Sequence, residues 1–398
     1  MRILISGAGI TGPVLGYWLN RAGYVVTVVE LAARPRHSGG HAVDLYRPAL
    51  AISQRMGVLP LIRESATGAE HVTLLPEGGR RTARVALPTI FGASDRHVEI
   101  LRDDLSEIYY GATSGDVEYI FGDQIVELSA GGDVRFERAA PRRFDLVIGA
   151  DGLHSTVRRL VFGDESRFSA PTGVHLAVMT VPRMYADDGE LCIHVGVGRT
   201  AGIYGVRHLG EARALFLFRS DREISPHHRD VSLQKEILQN AFRGFADDVD
   251  RWLAHLEGTS AFYFDSIAQL RMDRWSRGVV TLVGDAGYSP GPAVGGSTTL
   301  AVVGAYVLAG ELARWDGDHE RAYPAYERAM AHHVRDGHRV ARSAARTLVP
   351  GSRFGVSGLV HATRLLSVLP EAQARVFLRL VTKSARVYDA MTVTDYDL

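Results

Sequence analysis

Cysteine is almost absent from this chain, since Cys192 is the only one among 398 residues. One cysteine excludes an internal disulfide and any zinc site built from several thiolates, and we expect Cys192 to be a half-buried strand residue. No stretch approaches the roughly 18 apolar residues that a membrane-spanning helix needs. The amino terminus MRILISGAGI has a short apolar run with no small-residue cleavage site, so it predicts a first strand rather than a signal peptide. We therefore expect a cytoplasmic protein with no membrane partner.

The chain also lacks an excess of either charge. Lys plus Arg and Asp plus Glu each number 45, which gives a formal net charge of zero. This balance provides no electrostatic basis for binding nucleic acid. Sixteen histidines are present, but neither His332 nor His333 has a second histidine one turn further along the helix, and His227-His228 lies in a loop. We predict no nucleic-acid partner and no metal site.

A βαβ unit begins at residue 2. A strand-like run from Arg2 to Ser6 is followed by a glycine turn, a helical pattern from Thr11 to Ala22, and a second β-branched run that ends at Glu30. The turn has the spacing G-x-G-x-x-G, in which glycines permit a tight turn, close approach of a pyrophosphate and close packing of helix on strand. Glu30 lies where a carboxylate accepts hydrogen bonds from ribose hydroxyls. The predicted phosphate-binding positions are Gly7, Gly9, Ile10, Thr11 and Gly12.

Two later motifs repeat the pattern of a buried strand that ends in glycine or aspartate. The stretch 145–158, DLVIGADGLHSTVR, places Asp151 and Gly152 directly after a strand. The stretch 279–301, VVTLVGDAGYSPGPAVGGSTTLA, places Asp285 after a strand and a loop rich in glycine and proline before a helix. Ligands of parallel α/β sheets lie beyond the carboxyl ends of the strands, so we expect the three motifs to meet at one sheet edge.

Between these motifs the pattern changes to alternating apolar and polar residues. Such runs occupy residues 71–95 and most of 166–272, where a helical stretch from Ser232 to His255 interrupts them. Val117 to Glu137 predicts a small β meander, and the chain beyond Gly296 is predicted to be almost entirely helical. The sequence therefore indicates a parallel α/β domain that carries an antiparallel α+β insertion.

The three motifs in this order resemble the class A flavoprotein monooxygenases, which have the para-hydroxybenzoate hydroxylase fold. Within that class the chain is similar to the tetracycline-inactivating monooxygenases and to actinobacterial natural-product tailoring hydroxylases, over about residues 1–345. The resemblance implies a Rossmann-like FAD domain with an inserted antiparallel substrate domain and a C-terminal helical segment. The implied ranges are 1–70, 96–165 and 273–345 for the FAD domain, 71–95 and 166–272 for the substrate domain, and 346–398 for the C-terminal helices.

The resemblance also assigns roles to individual residues. Asp285 would bind the ribitol hydroxyls of FAD, and Arg102 would be the arginine of an Arg-x-x-Leu contact to the cofactor. His41 lies in a segment expected to cover the flavin. The implied FAD-binding set is Gly7, Gly9, Ile10, Thr11, Gly12, Glu30, Arg102, Asp151, Gly152, Asp285, Pro292, Gly295 and Gly296. The residues expected to line the substrate pocket are Tyr288, Phe216, Phe218 and His41.

The implied activity is monooxygenation of an aromatic or polycyclic small molecule in antibiotic biosynthesis or resistance. NADH or NADPH would reduce FAD without a second Rossmann domain. Dioxygen would then form a C4a-(hydro)peroxyflavin that transfers one oxygen to the substrate. The fold is compatible with a monomer or a homodimer.

Some positions depart from the family pattern and keep two alternatives open. Gly287 and Tyr288 replace the usual Ala-His after Gly-Asp-Ala, Ser297 replaces a glycine, and an aspartate common in the following helix is replaced near Gly304. One alternative is a protein that uses FAD as a scaffold for a non-redox cyclisation or rearrangement. The other is an idle flavoprotein that only sequesters a ligand.

Overall fold

The computed structural model describes residues 1–35, 40–78, 83–87, 96–220, 230–291, 296–369 and 384–398. Within these ranges the chain forms eighteen β-strands and twelve α-helices. The strands are β1 (Arg2–Ser6), β2 (Val25–Glu30), β3 (Ala42–Tyr46), β4 (His71–Pro76), β5 (Ala83–Ala86), β6 (His97–Leu101), β7 (Glu118–Phe121), β8 (Ile125–Leu128), β9 (Asp133–Phe136), β10 (Arg142–Arg143), β11 (Leu146–Gly149), β12 (Ser169–Pro182), β13 (Glu190–Gly196), β14 (Arg199–Val206), β15 (Glu211–Arg219), β16 (Phe262–Leu270), β17 (Ser276–Arg277) and β18 (Val280–Leu282).

The helices alternate with the strands at first and then dominate the last third of the chain. They are α1 (Thr11–Arg21), α2 (Arg47–Arg55), α3 (Leu59–Glu64), α4 (Arg102–Gly111), α5 (Thr156–Phe162), α6 (Val231–Phe242), α7 (Asp247–Leu253), α8 (Asp285–Tyr288), α9 (Ser297–Arg314), α10 (His319–Leu348), α11 (Arg353–Val368) and α12 (Ser384–Asp389). Among the residues described, none of these helices is both long and apolar enough to cross a membrane.

A six-stranded sheet in the order β17-β18-β11-β1-β2-β7 carries the three motifs. Its strands pair in parallel except for the edge pair β17 and β18. Ile3, Leu4 and Ile5 are all fully buried, because helices cover both faces of the sheet, as is usual for parallel sheets. The central strands β18, β11, β1 and β2 all run the same way, so their carboxyl ends meet at one edge.

The predicted meander from Val117 to Glu137 is wrong in one respect. Its first strand, β7, pairs in parallel with β2 and extends the six-stranded sheet. Only β8 and β9 form a hairpin, which β10 joins to make a separate three-stranded sheet. The turn signals were present in the sequence, but they do not reveal which neighbour a strand pairs with.

A seven-stranded sheet in the order β16-β12-β15-β14-β13-β4-β5 forms the second layer. All neighbours are antiparallel except β13 and β4. The strands within 71–86 thus join those of 166–272 in a single sheet. Cys192 lies half-buried on β13, which confirms its prediction.

The two faces of this sheet pack against different parts of the chain. Helices α6 and α7 cover the outer face around Phe242 and Trp252. The inner face contacts α10 through Ala341 and Ala345, and Val349 directly after the helix joins the same cluster. A two-stranded ribbon of β3 and β6 also lies against the inner face, where the amide of Ala42 donates to the Tyr204 hydroxyl at 2.9 Å. The ribbon places the segment after residue 40 between the two sheets.

Candidate functional site

The glycine turn after β1 is packed so closely that two of its positions tolerate no side chain. Gly7 has φ +105°, and a Cβ there would lie 2.5 Å from the carbonyl oxygen of Ala150. A Cβ on Gly12 would lie 1.9 Å from the carbonyl oxygen of Gly7. These contacts hold β1, α1 and the second motif together, as the glycine spacing predicted. Ile10 and Thr11 form the buried start of α1.

Gly9 differs from the other two glycines because the space beside it is open. The nearest atom to a Cβ placed there is Nη2 of Arg102, at 3.9 Å. Arg102 begins α4, and its amide donates to the carbonyl of His41 at 3.0 Å. An open backbone position next to a guanidinium suits an anionic group such as a pyrophosphate.

Two carboxylates flank this open space. Glu30, at the end of β2, accepts from the amides of Ala8 and Ala32, both at 2.8 Å. Asp285 begins α8 directly after the third motif strand. Burial raises the pKa of Asp285, while a Ser289 hydrogen bond and the charge of Arg102 act in the opposite direction. Both side chains lie at the sheet edge where the sequence placed them.

The carboxylate of Asp151 is bound by groups of the protein itself, whereas the sequence suggested a contact to the cofactor. Its carboxylate accepts from the Ser155 hydroxyl, from the amide of Val157 at 3.1 Å and from the Ser6 hydroxyl at 3.4 Å. It therefore joins the ends of β1 and α5. Burial raises the pKa of Asp151, and these hydrogen bonds oppose that effect. Gly152 has φ +80° with no atom within 4 Å of a Cβ placed on it, so its backbone is open.

Arg158 connects the second motif to the third, a role that was not predicted from the sequence. Its side chain is 1% exposed, and Nη1 donates to the carbonyl of Ala286 at 2.9 Å. Nη2 donates to the carbonyl of Leu153 and to Glu165, the latter at 2.7 Å. Because Ala286 follows Asp285, this buried cation fixes the loop that presents the Asp285 carboxylate. In the sequence, the only indication of this role was that an arginine ends the second motif, where a helix begins.

A chain of charged groups continues from Glu165 to the inner face of the seven-stranded sheet. His154 Nδ1 lies 3.1 Å from Glu165, and its Nε2 lies 3.8 Å from Asp265. The carboxylates of Asp265 and then Glu165 raise the pKa of His154 to about 10. Asp265 also accepts from the Tyr263 hydroxyl at 3.0 Å. The chain thus links the second motif to strand β16.

His41 lies at the end of that chain, as a pocket candidate beside the proposed cofactor residues. Its ring centroid is 5.5 Å from that of Tyr263. Burial lowers the pKa of His41 to about 4, and the charge of Arg102 acts in the same direction against those of Asp265 and Asp44. The imidazole is therefore neutral at pH 7.

This shift predicts acid sensitivity of folding. The folded pKa of His41, about 4, lies below the ordinary histidine value of 6.5, so the unfolded chain binds more protons between those values. The contribution of neutral His41 to the unfolding free energy is fully present above pH 6.5 and is lost as the pH falls towards 4. From pH 8 to pH 5, the FAD-free wild-type should lose about 2 kcal/mol more unfolding free energy than His41→Gln. Urea titrations at both pH values measure this difference, and equal losses in the two proteins would exclude the buried neutral imidazole.

Tyr288, one of the candidates for the substrate pocket, packs in the core instead. It is buried in the FAD-domain core, where its ring centroid lies 4.6 Å from that of Trp275 and its hydroxyl bonds that of Tyr326 at 3.1 Å. A Cβ on Gly304 would lie 1.9 Å from the Tyr288 hydroxyl. The departures at 288 and 304 are therefore complementary, since loss of the side chain on α9 makes room for the tyrosine.

Phe216 and Phe218 are also placed differently from the expectation. Both rings point to the outer face of the sheet and pack on Phe242 of α6, with centroids 5.1 and 6.0 Å from its ring. The inner face, which Tyr263 shares, carries Leu215 and Leu217 instead. Neither phenylalanine can line a space beside His41.

The loop before α9 is described only in part. Pro292 and Gly295, two of the predicted cofactor residues, lie outside the described residues. Gly296 is described and immediately precedes α9 with φ +82°, a conformation that favours glycine. Among the described residues, no group of three or more His, Cys, Asp or Glu side chains is arranged to hold a metal ion.

Comparisons with known proteins agree with this geometry. Residues 1–321 match the family model described as FAD binding domain. An uncharacterized protein of Mycobacterium tuberculosis is 44% identical over 334 residues, covering 81% of this chain and 88% of the relative. A flavin-dependent monooxygenase of Legionella longbeachae is 34% identical over 330 residues, covering 82% of this chain and 84% of its own length.

Among solved structures, the tetracycline destructase Tet(51) superposes with a TM-score of 0.81. It is 28% identical, and the match covers 99% of each chain. Fold and site together define a flavoprotein with a dinucleotide-binding sheet and an inserted antiparallel domain. More narrowly, the chain belongs to the family of FAD-dependent monooxygenases that carry this FAD binding domain.

Proposed function

We propose that this protein is an NAD(P)H-dependent monooxygenase that oxygenates an aromatic or polycyclic small molecule. The observation that carries the proposal is the open backbone at Gly9 beside the Arg102 guanidinium, at the sheet edge that also presents Glu30 and Asp285. Residues 71–95 and 166–272 would form the substrate-binding part, with the remainder up to 345 holding the cofactor.

The residues at this edge fit FAD, and each would contact a different part of it. Gly9 and the start of α1 would hold the pyrophosphate with Arg102, while Glu30 would accept from the adenosine ribose and Asp285 from the ribitol. Gly152 and the loop ending at Gly296 would lie against the remainder. Bound FAD supplies the redox chemistry and activates dioxygen, with NADH or NADPH as the source of electrons.

The chain's own residues would bind and orient the substrate and exclude water. Neutral His41 and the Tyr263 ring border the cofactor residues without adding a charge at pH 7. Next to them, the inner face of the seven-stranded sheet carries the half-buried apolar side chains of Leu191 and Leu215. Such a wall favours aromatic, poorly hydrated substrates over small polar ones. The likeness to a tetracycline destructase supports a polycyclic compound as the first candidate.

The departures at positions 288 and 304 do not favour either alternative. Tyr288 and Gly304 compensate each other within the core of the FAD domain. This pair of changes therefore gives no support to a scaffold or sequestering role.

Anaerobic reduction tests the proposal directly. Purified FAD-loaded protein is mixed with NADH or NADPH without oxygen, and the visible absorbance of the flavin is followed. Bleaching that quickens when polycyclic phenols are added, followed by oxygenated product on admitting air, is the expected result. A flavin that is never bleached by either nucleotide, with or without those compounds, would overturn it.

Gly9 provides a matched test of the cofactor assignment. Gly9→Ala creates no clash within the protein, so the unfolding free energy of the FAD-free protein should stay within about 0.5 kcal/mol. The added methyl group would separate the backbone from the pyrophosphate, and FAD affinity should fall roughly 10-fold, about 1.4 kcal/mol. Titration by flavin fluorescence measures the change. Unchanged affinity would place the pyrophosphate elsewhere.

A further inference from the structure

Asp265 places a carboxylate among apolar side chains on the inner face of the seven-stranded sheet. On β16 it stands between Tyr263 and Ile267, which share that face, and its antiparallel partner on β12 is Leu176. Leu176 and Ile267 are each 1% exposed, whereas the side chain of Asp265 is 19% exposed. A carboxylate in such a position loses hydration, so it needs partners that bind it.

The partners of Asp265 hold its carboxylate in one orientation. The Tyr263 hydroxyl donates to Oδ2 at 3.0 Å, and the amide of Ser266 donates to Oδ1 at 2.8 Å. Nε2 of His154, which belongs to the second motif, lies 3.8 Å from Oδ1. The two oxygens of a carboxylate can accept about four hydrogen bonds, so these contacts orient Asp265 and leave capacity for another donor.

The surroundings of Asp265 connect it to the cofactor edge. Helix α8, which begins at Asp285, packs against β16. Burial raises the pKa of Asp285, and the charge of Asp265 acts in the same direction. Burial lowers the pKa of His41, and the charge of Asp265 opposes that effect. Asp265 is therefore within electrostatic range of both residues, on the side of the site where Asp285 would hold the ribitol.

The ion pair with His154 accounts for Asp265 only in part. The side chain of His154 is 49% exposed, and Glu165 is its nearer anion at 3.1 Å. A half-exposed pair of this kind adds little to stability. A substrate that donates a hydrogen bond to the same carboxylate would gain more, because a bond to a charged acceptor is stronger than one between neutral groups.

We propose that Asp265 is a substrate-recognising residue, whose carboxylate accepts a hydrogen bond from a hydroxyl group on the bound aromatic substrate. The proposal rests on the proposed function for the aromatic substrate, but not on oxygenation or on the electron donor. It predicts that the protein distinguishes a hydroxylated ring system from the same ring system with the hydroxyl methylated, since the methyl ether has no hydrogen to donate. The rings themselves would lie against the apolar side chains of Leu191 and Leu215.

Two ligands that differ only in this group test the assignment. They are 2-naphthol and 2-methoxynaphthalene, and equilibrium dialysis against FAD-loaded protein without NAD(P)H measures the affinity of each. Wild-type should bind 2-naphthol about 10-fold more tightly than the ether. In Asp265→Asn this ratio should fall to about threefold, because a neutral acceptor forms a bond of roughly half the strength. The affinity for the ether should stay within about twofold of wild-type, since the ether does not use the carboxylate.

His154→Gln is the matched control, because it removes the same ion pair and leaves the carboxylate in place. Its ratio of affinities should stay within about twofold of wild-type. Fluorescence titration should show that both variants bind FAD within about twofold of wild-type, since neither residue belongs to the proposed cofactor set. Urea unfolding of the full-length chains confirms that both variants are folded.

The other outcomes overturn one proposal or the other. Wild-type that does not prefer 2-naphthol, or an unchanged ratio in Asp265→Asn, would overturn the role of Asp265. Equal loss of the preference in Asp265→Asn and His154→Gln would overturn it in favour of a structural ion pair, and loss of FAD binding in Asp265→Asn would overturn it in favour of a cofactor contact. A preference that only Asp265→Asn removes, without oxidation of NADH or NADPH in the presence of 2-naphthol, would support Asp265 as assigned and contradict the monooxygenase proposal.

Discussion

Gly12→Ala should lower FAD affinity by at least about 100-fold, which corresponds to roughly 2.7 kcal/mol. The new Cβ would lie 1.9 Å from the carbonyl oxygen of Gly7 and 3.1 Å from its carbonyl carbon. Both are backbone atoms of the turn, so no flexible side chain can move aside. Either the turn or the start of α1 must shift, and overpacking of this kind costs about 1–3 kcal/mol or more. The displaced turn would no longer present the Gly9 backbone beside Arg102. Fluorescence titration with FAD measures the loss.

Gly16→Ala is the matched control, because it makes the same substitution one turn later on α1. A Cβ on Gly16 would meet Val117 and Ile5 at 3.8 and 3.9 Å, which are ordinary van der Waals contacts. Alanine has a higher helix propensity than glycine by up to about 1 kcal/mol, so the variant should be as stable as wild-type or more stable. Its FAD affinity should not change. Normal FAD binding by Gly12→Ala would show that the turn after β1 is not the pyrophosphate site.

The turn and the sheet edge were predictable because their determinants are local. The spacing of Gly7, Gly9 and Gly12 encodes the turn directly, and the strands before Asp151 and Asp285 are continuous apolar runs. Once those strands are parallel, their carboxyl ends must meet at one edge. The structure confirms that placement.

The orientation of β15 was not predictable in the same way. Leu215 and Leu217 face the inner side while Phe216 and Phe218 face the outer side, and the sheet is covered on both. Alternation separates the two sides of a strand only when one of them is polar. The larger aromatic rings suggested a ligand pocket, but they pack against α6.

Contacts between distant parts of the chain also could not be predicted from the sequence. The fit of Tyr288 over Gly304, and of Tyr388 and Tyr396 over Gly296 and Gly310, depends on how α9 lies against α10 and the C-terminal residues 384–398. A glycine in a helix pattern predicts a close approach without naming its partner. Arg158 was visible in its motif, but its bond to Ala286 joins two motifs that are far apart in sequence.

That buried arginine gives the prediction with the largest effect on stability. Arg158→Met should lower the unfolding free energy by roughly 2–3 kcal/mol, because a buried acceptor that loses a charged donor is left unsatisfied. The carbonyls of Leu153 and Ala286 would lose their guanidinium donors, and Glu165 would lose its nearer cation. The loop that carries Asp285 would lose its anchor, so FAD affinity should fall as well. Urea unfolding of the FAD-free protein measures the first effect.

The neighbouring Arg159 provides a matched control, since it is exposed on the same helix. Arg159→Met should change the unfolding free energy by no more than about 0.5 kcal/mol. Arg158→Lys should recover little of the lost unfolding free energy, because a lysine ammonium lacks the planar guanidinium geometry that reaches two carbonyls and a carboxylate at once. Equal stability of the two methionine variants would mean that Arg158 does not hold the second and third motifs together. Loss of stability in Arg158→Met with full recovery in Arg158→Lys would mean that charge alone, and not the geometry of the guanidinium, joins them.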